Sequence, residues 1–290
     1  MTTPPLTTWT QDTLAQLGIS VEATSFLDIY PGTDDGSRGT AEYCAALAEI
    51  AGTHDFRPYR FKEGQYRYTR GGVDVSSPSD SDLINTCWGI FHIMERLQGK
   101  SDNELRLHFI NGLMDGCDIF PSDAFGAESL VNLEFQLPGA KGPEGIQLHI
   151  AYTKPNGAIC GFVMVSEDYE TGDETDYDLM AAKRFIACQL ANVQNGVPED
   201  IIVGVVTNGT AVTVYHSHLD PIFVKNLLAG SQPLPQANIV IHKQCLSPDM
   251  DEPLVSALGS SAISELCLKM CKLAGFVEYR ITFPEEEEGK

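Results

Sequence analysis

The residues with the clearest chemical potential in this sequence are the carboxylates between Glu167 and Asp178. Seven of these twelve residues are Asp or Glu, and no basic residue lies among them. Divalent cations such as Mg²⁺ bind where several carboxylate oxygens converge on one point. The acidic segment, residues 167–178, therefore predicts a cation site or a surface that attracts a basic partner. The other interpretation is an exposed, solvated loop in which Asp176 or Asp178 caps the following helix.

A second candidate surface is basic and aromatic. Five of the nineteen basic residues lie within fourteen positions and alternate with Tyr and Phe side chains. The basic residues are Arg57, Arg60, Lys62, Arg67 and Arg70. This pattern is typical of strips that stack on bases and contact phosphates. The alternative is an edge hairpin, turning near Glu63 and Gly64, whose arginines neutralise neighbouring carboxylates.

The overall charge favours partners that are positively charged. Nineteen Lys and Arg residues against forty Asp and Glu residues give a formal net charge of −21. A field of this sign repels nucleic acid and anionic membranes. We therefore expect a basic protein partner rather than nucleic acid, and no membrane association. The amino-terminal residues lack the basic start and apolar stretch of a signal peptide, which predicts an intracellular protein in the cytoplasm or nucleus. The sequence makes no prediction of oligomeric state.

Several common catalytic motifs are absent from the sequence. There is no phosphate-binding glycine loop, no G-x-S-x-G turn and no H-E-x-x-H helix. The eight cysteines are scattered without a Cys-x-x-Cys pair, which favours buried free thiols. We interpret His149, His216 and His218 as histidines satisfied by their neighbours rather than as metal ligands.

The hydrophobic pattern predicts the elements that position these residues. Two helices precede residue 115, and from residue 131 the apolar period changes from 3.6 to 2. Strands are predicted over 131–137, 146–152 and 158–166, a helix over about 178–194, and a hairpin that turns at 207–210. A strand at Asn238 to His242 and a carboxy-terminal helix follow. The fold class is therefore α/β, with a mixed central sheet flanked by helices.

The sequence pattern also predicts a division of the chain into two parts. Residues 1–75 form an amino-terminal extension with a short helix and the basic hairpin. Residues 76–290 form the α/β core and its carboxy-terminal helix.

The order helix, three strands, helix, two strands resembles the PD-(D/E)XK, or restriction-endonuclease-like, nuclease superfamily. The likeness covers roughly residues 79–220 and is greatest to the divergent nuclease-like domains of many fungal proteins. In that family a Pro-Asp pair opens one strand, Glu-x-Lys ends the next, and an acidic loop with glycine follows. Here Pro143 and Glu144 stand at the first motif, Met164 to Ser166 at the second, and the acidic segment with Gly172 at the loop.

The resemblance implies a degenerate catalytic centre. In the family two carboxylates hold Mg²⁺ and the lysine helps to activate the attacking water. Met164 provides no such ligand and Ser166 provides no cation, so the resemblance implies a pseudo-nuclease that has no cofactor. Together with the net charge of −21, this leads us to expect an interaction protein that binds a basic partner through its acidic surface.

The alternative implied by the resemblance is a nuclease or phosphodiesterase with a migrated, Mg²⁺- or Mn²⁺-dependent site. Glu144, Glu167 and Asp168 would be its catalytic residues, with Glu144 and Asp168 as the metal ligands. Its nucleic-acid-binding residues would be Arg57, Arg60, Arg67 and Arg70.

Overall fold

The computed structural model describes the greater part of the chain from residue 6 onward. The described residues are 6–29, 69–70, 73–74, 107, 110–114, 117, 119–135, 137, 142–165, 174–208, 211–230, 238–246 and 261–282.

Nine strands are present in the described residues. They are β1 (Ile19–Ala23), β2 (Thr69–Arg70), β3 (Val73–Asp74), β4 (Gly126–Phe135), β5 (Glu144–Thr153), β6 (Ile159–Val165), β7 (Ile201–Asn208), β8 (Ala211–His218) and β9 (Ile239–Cys245).

The helices are fewer and include one long element. The α-helices are α1 (Gln11–Gln16), α2 (Glu174–Gln194), α3 (Pro221–Leu228) and α4 (Ser261–Val277). Residues Leu6–Thr8 and Phe26–Ile29 form 3-10 turns, Glu278–Thr282 form a π-helical turn after α4, and residues 110–114 are helical.

Seven strands form one mixed sheet in the order β1-β9-β8-β7-β6-β5-β4. Strands β5 and β8 run antiparallel to their neighbours, whereas β6–β7 and β1–β9 are parallel pairs. The predicted α/β class with a mixed sheet packed against helices is therefore confirmed.

The centre of the sheet follows the predicted order. Strands β4, β5 and β6 form an antiparallel meander, α2 crosses over, and β7 returns parallel to β6. The hairpin of β7 and β8 is also confirmed, with Asn208 paired to Ala211. Strand β4 begins at Gly126, five residues before the predicted start. The hydrophobic pattern did not predict its first half because residues 126–130 are all exposed and show no apolar alternation.

Helices cover both faces of this sheet. One face, which we call the α2 face, packs against α2, α3 and residues 6–19, and its core contains Phe162, Met164 and Phe185. The opposite face, the α4 face, packs against residues 110–119 and α4, and its core contains Val203 and Phe276. The sheet is therefore the middle layer of an α/β/α arrangement.

The amino-terminal residues are part of this architecture. Strand β1 pairs in parallel with β9, with Ile19 opposite Ile239, and Leu6 and Trp9 are buried in the core of the α2 face. The predicted boundary between residues 75 and 76 lies outside the described residues.

Helix α2 begins four residues before its predicted start. Glu174 and Asp176 lie in its first turn, where negative charge is favoured by the helix dipole. Asp176 and Asp178 are inside the helix, so the interpretation that either one is its N-cap is wrong.

Candidate functional site

Glu144 is the one candidate catalytic residue that the structure describes, and it lies at one end of the sheet. Because β5 is antiparallel to β6, the start of β5 at Glu144 and the end of β6 at Val165 lie at the same end. Helix α2 begins nearby in sequence, at Glu174. Glu167 and Asp168 lie outside the described residues, so their distances to Glu144 stay a prediction.

Glu144 fastens the amino-terminal segment to the sheet. Its Oε2 accepts a hydrogen bond from the backbone N–H of Thr7 at 3.2 Å. Lys183 Nζ donates to the carbonyl oxygen of Thr7 at 3.0 Å. Burial, and then the charge of Arg184, lower the pKa of Lys183. Glu144 Oε1 is buried and has no hydrogen-bond partner within the described part of the chain. The carboxylate thus performs a structural task with one oxygen and leaves the other available.

The first two residues that the resemblance places at Glu-x-Lys are apolar, and the third, Ser166, lies outside the described residues. Met164 and Val165 are buried, and Met164 packs in the core of the α2 face. Its thioether therefore faces the helices and supplies no hard oxygen ligand at the end of β6.

His149 marks an irregularity in the sheet beside this position. Its Nδ1 accepts a hydrogen bond from the backbone N–H of Val165 at 3.2 Å. On the other side of β5, Leu130 has a left-handed φ of 56° between the paired positions Ser129 and Val131. A histidine side chain here takes a hydrogen bond from the backbone of β6, as expected for a satisfied histidine.

One carboxylate of the acidic segment is neutralised by the protein itself. Asp178 Oδ2 lies 2.8 Å from Lys243 Nζ, and Asp178 Oδ1 accepts a hydrogen bond from the hydroxyl of Tyr215 at 3.0 Å. Tyr215 and Lys243 are paired across β8 and β9. The contact ties the first turns of α2 to the sheet, and no local sequence pattern predicts it because Lys243 is 65 residues from Asp178.

Two buried amides on α2 were also missed by sequence reasoning. The side chain of Asn192 accepts from the backbone N–H of Ile159 and donates to its carbonyl oxygen, both at 2.8 Å. Gln189, one turn earlier, donates to the carbonyl oxygen of Leu219 at 3.2 Å. Two amides three residues apart on the buried face of α2 were the available signal. Asn192 takes the place of a neighbouring strand at the start of β6, whereas Gln189 holds the chain after β8 and before β7.

A histidine pair lies on the α4 face. The rings of His216 and His242 stack at 4.9 Å between centroids, and Phe26 and Phe276 pack against His216 at 4.3 and 5.0 Å. Burial, together with the nearby His242 and Arg280, lowers the pKa of His216 to about 3. The ring of His216 is therefore neutral at physiological pH, as a packing residue.

The basic strip is mostly outside the described residues. Arg57, Arg60 and Arg67 lie there, as does the hairpin turn predicted near residue 63. Arg70 belongs to β2, which pairs with β3 through Arg70 and Val73. The proposed nucleic-acid contacts of these arginines stay a prediction.

Comparison with known proteins assigns no family. No protein-family model matches this sequence, and no curated protein matches it either. Among the described helices, none is long and apolar enough to cross a membrane. The described residues also contain no group of three or more His, Cys, Asp or Glu side chains that could hold a metal ion.

Proposed function

We propose that this protein is a non-catalytic interaction module, a nuclease-like α/β core that binds a basic protein partner through its acidic surface. The observation that carries this proposal is the burial of Met164. At the place where the resembled nucleases carry an acidic metal ligand, this chain carries an apolar side chain that contributes to the core. Because buried Met164 offers no ligand for a metal ion, we favour a binding function over hydrolysis.

The strand order supports the nuclease-like core. Three antiparallel strands, β4 to β6, are followed by α2 and then by the β7–β8 pair. This is the order on which the resemblance rests. Glu144 opens β5, at the position of the first family motif.

The distribution of surface charge supports a basic partner. Of the described side chains, eight acidic ones are exposed but only two basic ones. The acidic residues are Asp12, Glu22, Asp28, Asp123, Glu128, Glu134, Asp200 and Asp220, and the basic residues are Lys225 and Arg280. Several of the remaining cations are already engaged, as Lys243 is by Asp178. The described surface therefore offers a basic partner an excess of exposed carboxylates, of which Asp28 already pairs with Lys272.

A basic peptide tests the proposal directly. We expect a synthetic Lys- and Arg-rich peptide to bind with an affinity that falls steeply as salt rises, because exposed charges are screened within about 10 Å at 0.1 M ionic strength. The triple variant Asp173→Asn, Glu174→Gln, Asp176→Asn should weaken binding. The triple variant Asp12→Asn, Glu22→Gln, Asp200→Asn changes the charge equally at other places and serves as the control. Equal losses in both variants would mean that the acidic segment has no special role.

A metal-dependent nuclease is the second candidate, and one observation favours it. The buried Oε1 of Glu144 has no hydrogen-bond partner within the described residues, as a metal ligand would in the absence of its ion. The described residues bring no group of three or more His, Cys, Asp or Glu side chains together there, which leaves too few donors for Mg²⁺. Glu167 and Asp168 would have to complete the site.

A cleavage assay separates the two candidates. We expect no cleavage of DNA or RNA with Mg²⁺ or Mn²⁺. Cleavage that is lost in Glu144→Ala and Asp168→Ala, but kept in the surface variant Glu134→Ala, would establish the nuclease and overturn the interaction module.

A further inference from the structure

Strand β4 is an outer strand of the sheet that the described residues form. It is the last strand in the order, pairs with β5 along nine positions, and has no other strand of the described chain beside it. Its first five residues, 126–130, are exposed. Unpaired backbone N–H and C=O groups along such an edge form a template for another strand.

The chemistry of this edge attracts rather than repels an added strand. Proteins often protect an open edge with Lys, Pro or a β-bulge. Residues 122–135 contain neither Lys nor Pro, and the irregular backbone at Leu130 leaves β4 regularly paired over residues 126–129 and 131–135. Residues 122–135 contain Asp123, Glu128 and Glu134, all exposed, and no basic residue. Leu130, in the middle of the edge, is 62% exposed. An apolar contact point thus lies between carboxylates.

The other edge of the sheet is shorter. Strand β1 has five residues, against ten in β4. The chain after β1 continues along β9, because the backbone N–H of Thr24 donates to the carbonyl oxygen of Lys243 and that of Leu27 donates to the side chain of Gln244. The longer edge, with two exposed carboxylates, is therefore that of β4.

We propose that the free edge of β4, residues 126–135, binds an extended segment of the basic partner as an additional strand. Main-chain hydrogen bonds provide the affinity in this mode of recognition, and side chains provide the specificity. Lys or Arg residues of the segment lie beside Glu128 and Glu134, and an apolar residue covers Leu130. This inference rests on the proposed function, for which it names the docking surface and the conformation of the ligand.

A second copy of this chain fits the edge poorly. Pairing β4 with itself brings carboxylates of like charge together, and each copy carries a net charge of −21. Like charges opposite one another destabilise strand pairing. A basic segment carries the opposite charge, and its backbone can form hydrogen bonds with the edge of β4.

The probe for this inference is a peptide of alternating Lys and Val residues. We expect it to bind the full-length protein and to protect backbone amides of residues 126–135 from hydrogen exchange. The double variant Glu128→Lys, Glu134→Lys should weaken binding about tenfold. The control, Asp12→Lys with Glu22→Lys, makes the same change of charge near β1 and should alter affinity by less than about twofold.

The backbone contribution is tested with the same peptide N-methylated at alternate residues. Its charge is unchanged but its hydrogen bonds to a strand are lost, so its binding should be much weaker. Equal binding of both peptides without protection of β4 would overturn strand addition and leave the interaction module standing. A protein dimer in sedimentation, with β4 protected before peptide is added, would also overturn it. Failure of every basic peptide to bind would instead count against the proposed function itself.

Discussion

The two faces of the sheet are held to their helices by different chemistry. On the α2 face, Asn192 and Gln189 bind backbone groups, and Asp178 binds Lys243, in addition to the apolar core. On the α4 face, an aromatic and histidine cluster lies over β8 and β9. Hydrogen bonds and an ion pair hold α2 to the sheet, whereas packing around a neutral His216 holds the α4 face. Glu144, the described residue of the candidate site, is tied to α2 through Thr7 and Lys183.

The largest effect should come from the apolar core of the α2 face. Phe162 is fully buried and contacts Phe185 edge to face at a ring distance of 5.0 Å. We expect Phe162→Ala to cost about 2–5 kcal/mol through loss of burial and cavity formation, and Ile186→Ala to fall in the same range. Urea unfolding measures both. Unchanged midpoints in both variants would contradict the packing of α2 on β6.

The amide of Asn192 provides the next largest effect. In Asn192→Ala the backbone N–H and carbonyl groups of Ile159 lose their side-chain partner in a buried place, which should cost about 2–3 kcal/mol. Asn195→Ala, an exposed position just after α2, is the matched control and should leave the unfolding midpoint unchanged. Equal midpoints in the two variants would show that the amide contributes no directional restraint.

Lowering the pH should decrease the free energy of unfolding through His216 on the α4 face. Because the pKa of His216 is lowered to about 3 in the folded protein, the native state excludes a proton that the unfolded chain binds below its ordinary value of 6.5. The contribution of neutral His216 to the free energy of unfolding is complete above pH 6.5. It falls as the pH decreases from 6.5 toward 3. We expect a loss of about 2 kcal/mol at pH 5 relative to pH 7.5.

The variant His216→Phe isolates this effect from other titrations. Its unfolding free energy should decrease less between pH 7.5 and pH 5 than that of the original protein. Parallel pH profiles for the two proteins would refute the role of His216.

The sequence was sufficient for the parts of the fold that depend on local pattern. Alternating apolar residues in β5 and the helical stripe of α2 predicted a sheet covered by a helix, and Asn208 with Gly209 predicted the hairpin. These features are encoded within a few neighbouring residues. Strand β4 was predicted too short because its exposed first half has no apolar period.

The details of the candidate site depend on contacts between distant residues. Asn192 meets Ile159 across 33 residues, and Glu144 meets Thr7 across 137. No local pattern records such pairs, and only the folded sheet brings them together. For the same reason Asp178 was assigned to an acidic binding segment, although Lys243 already neutralises it.

The smallest effect tests whether that ion pair limits the acidic surface. Lys243 and Asp178 are partly exposed, with side-chain exposures of 24% and 16%, so Lys243→Met should cost only about 1 kcal/mol of stability. It should also release the Asp178 carboxylate and strengthen binding of the Lys- and Arg-rich peptide. Lys225→Met removes the same charge from the exposed side of α3 and serves as the control. If the affinity gains of the two variants are equal, only net charge matters. A larger gain in Lys243→Met would show that the bound peptide also reaches the first turns of α2, in addition to the edge of β4, because only there does the substitution uncover a carboxylate.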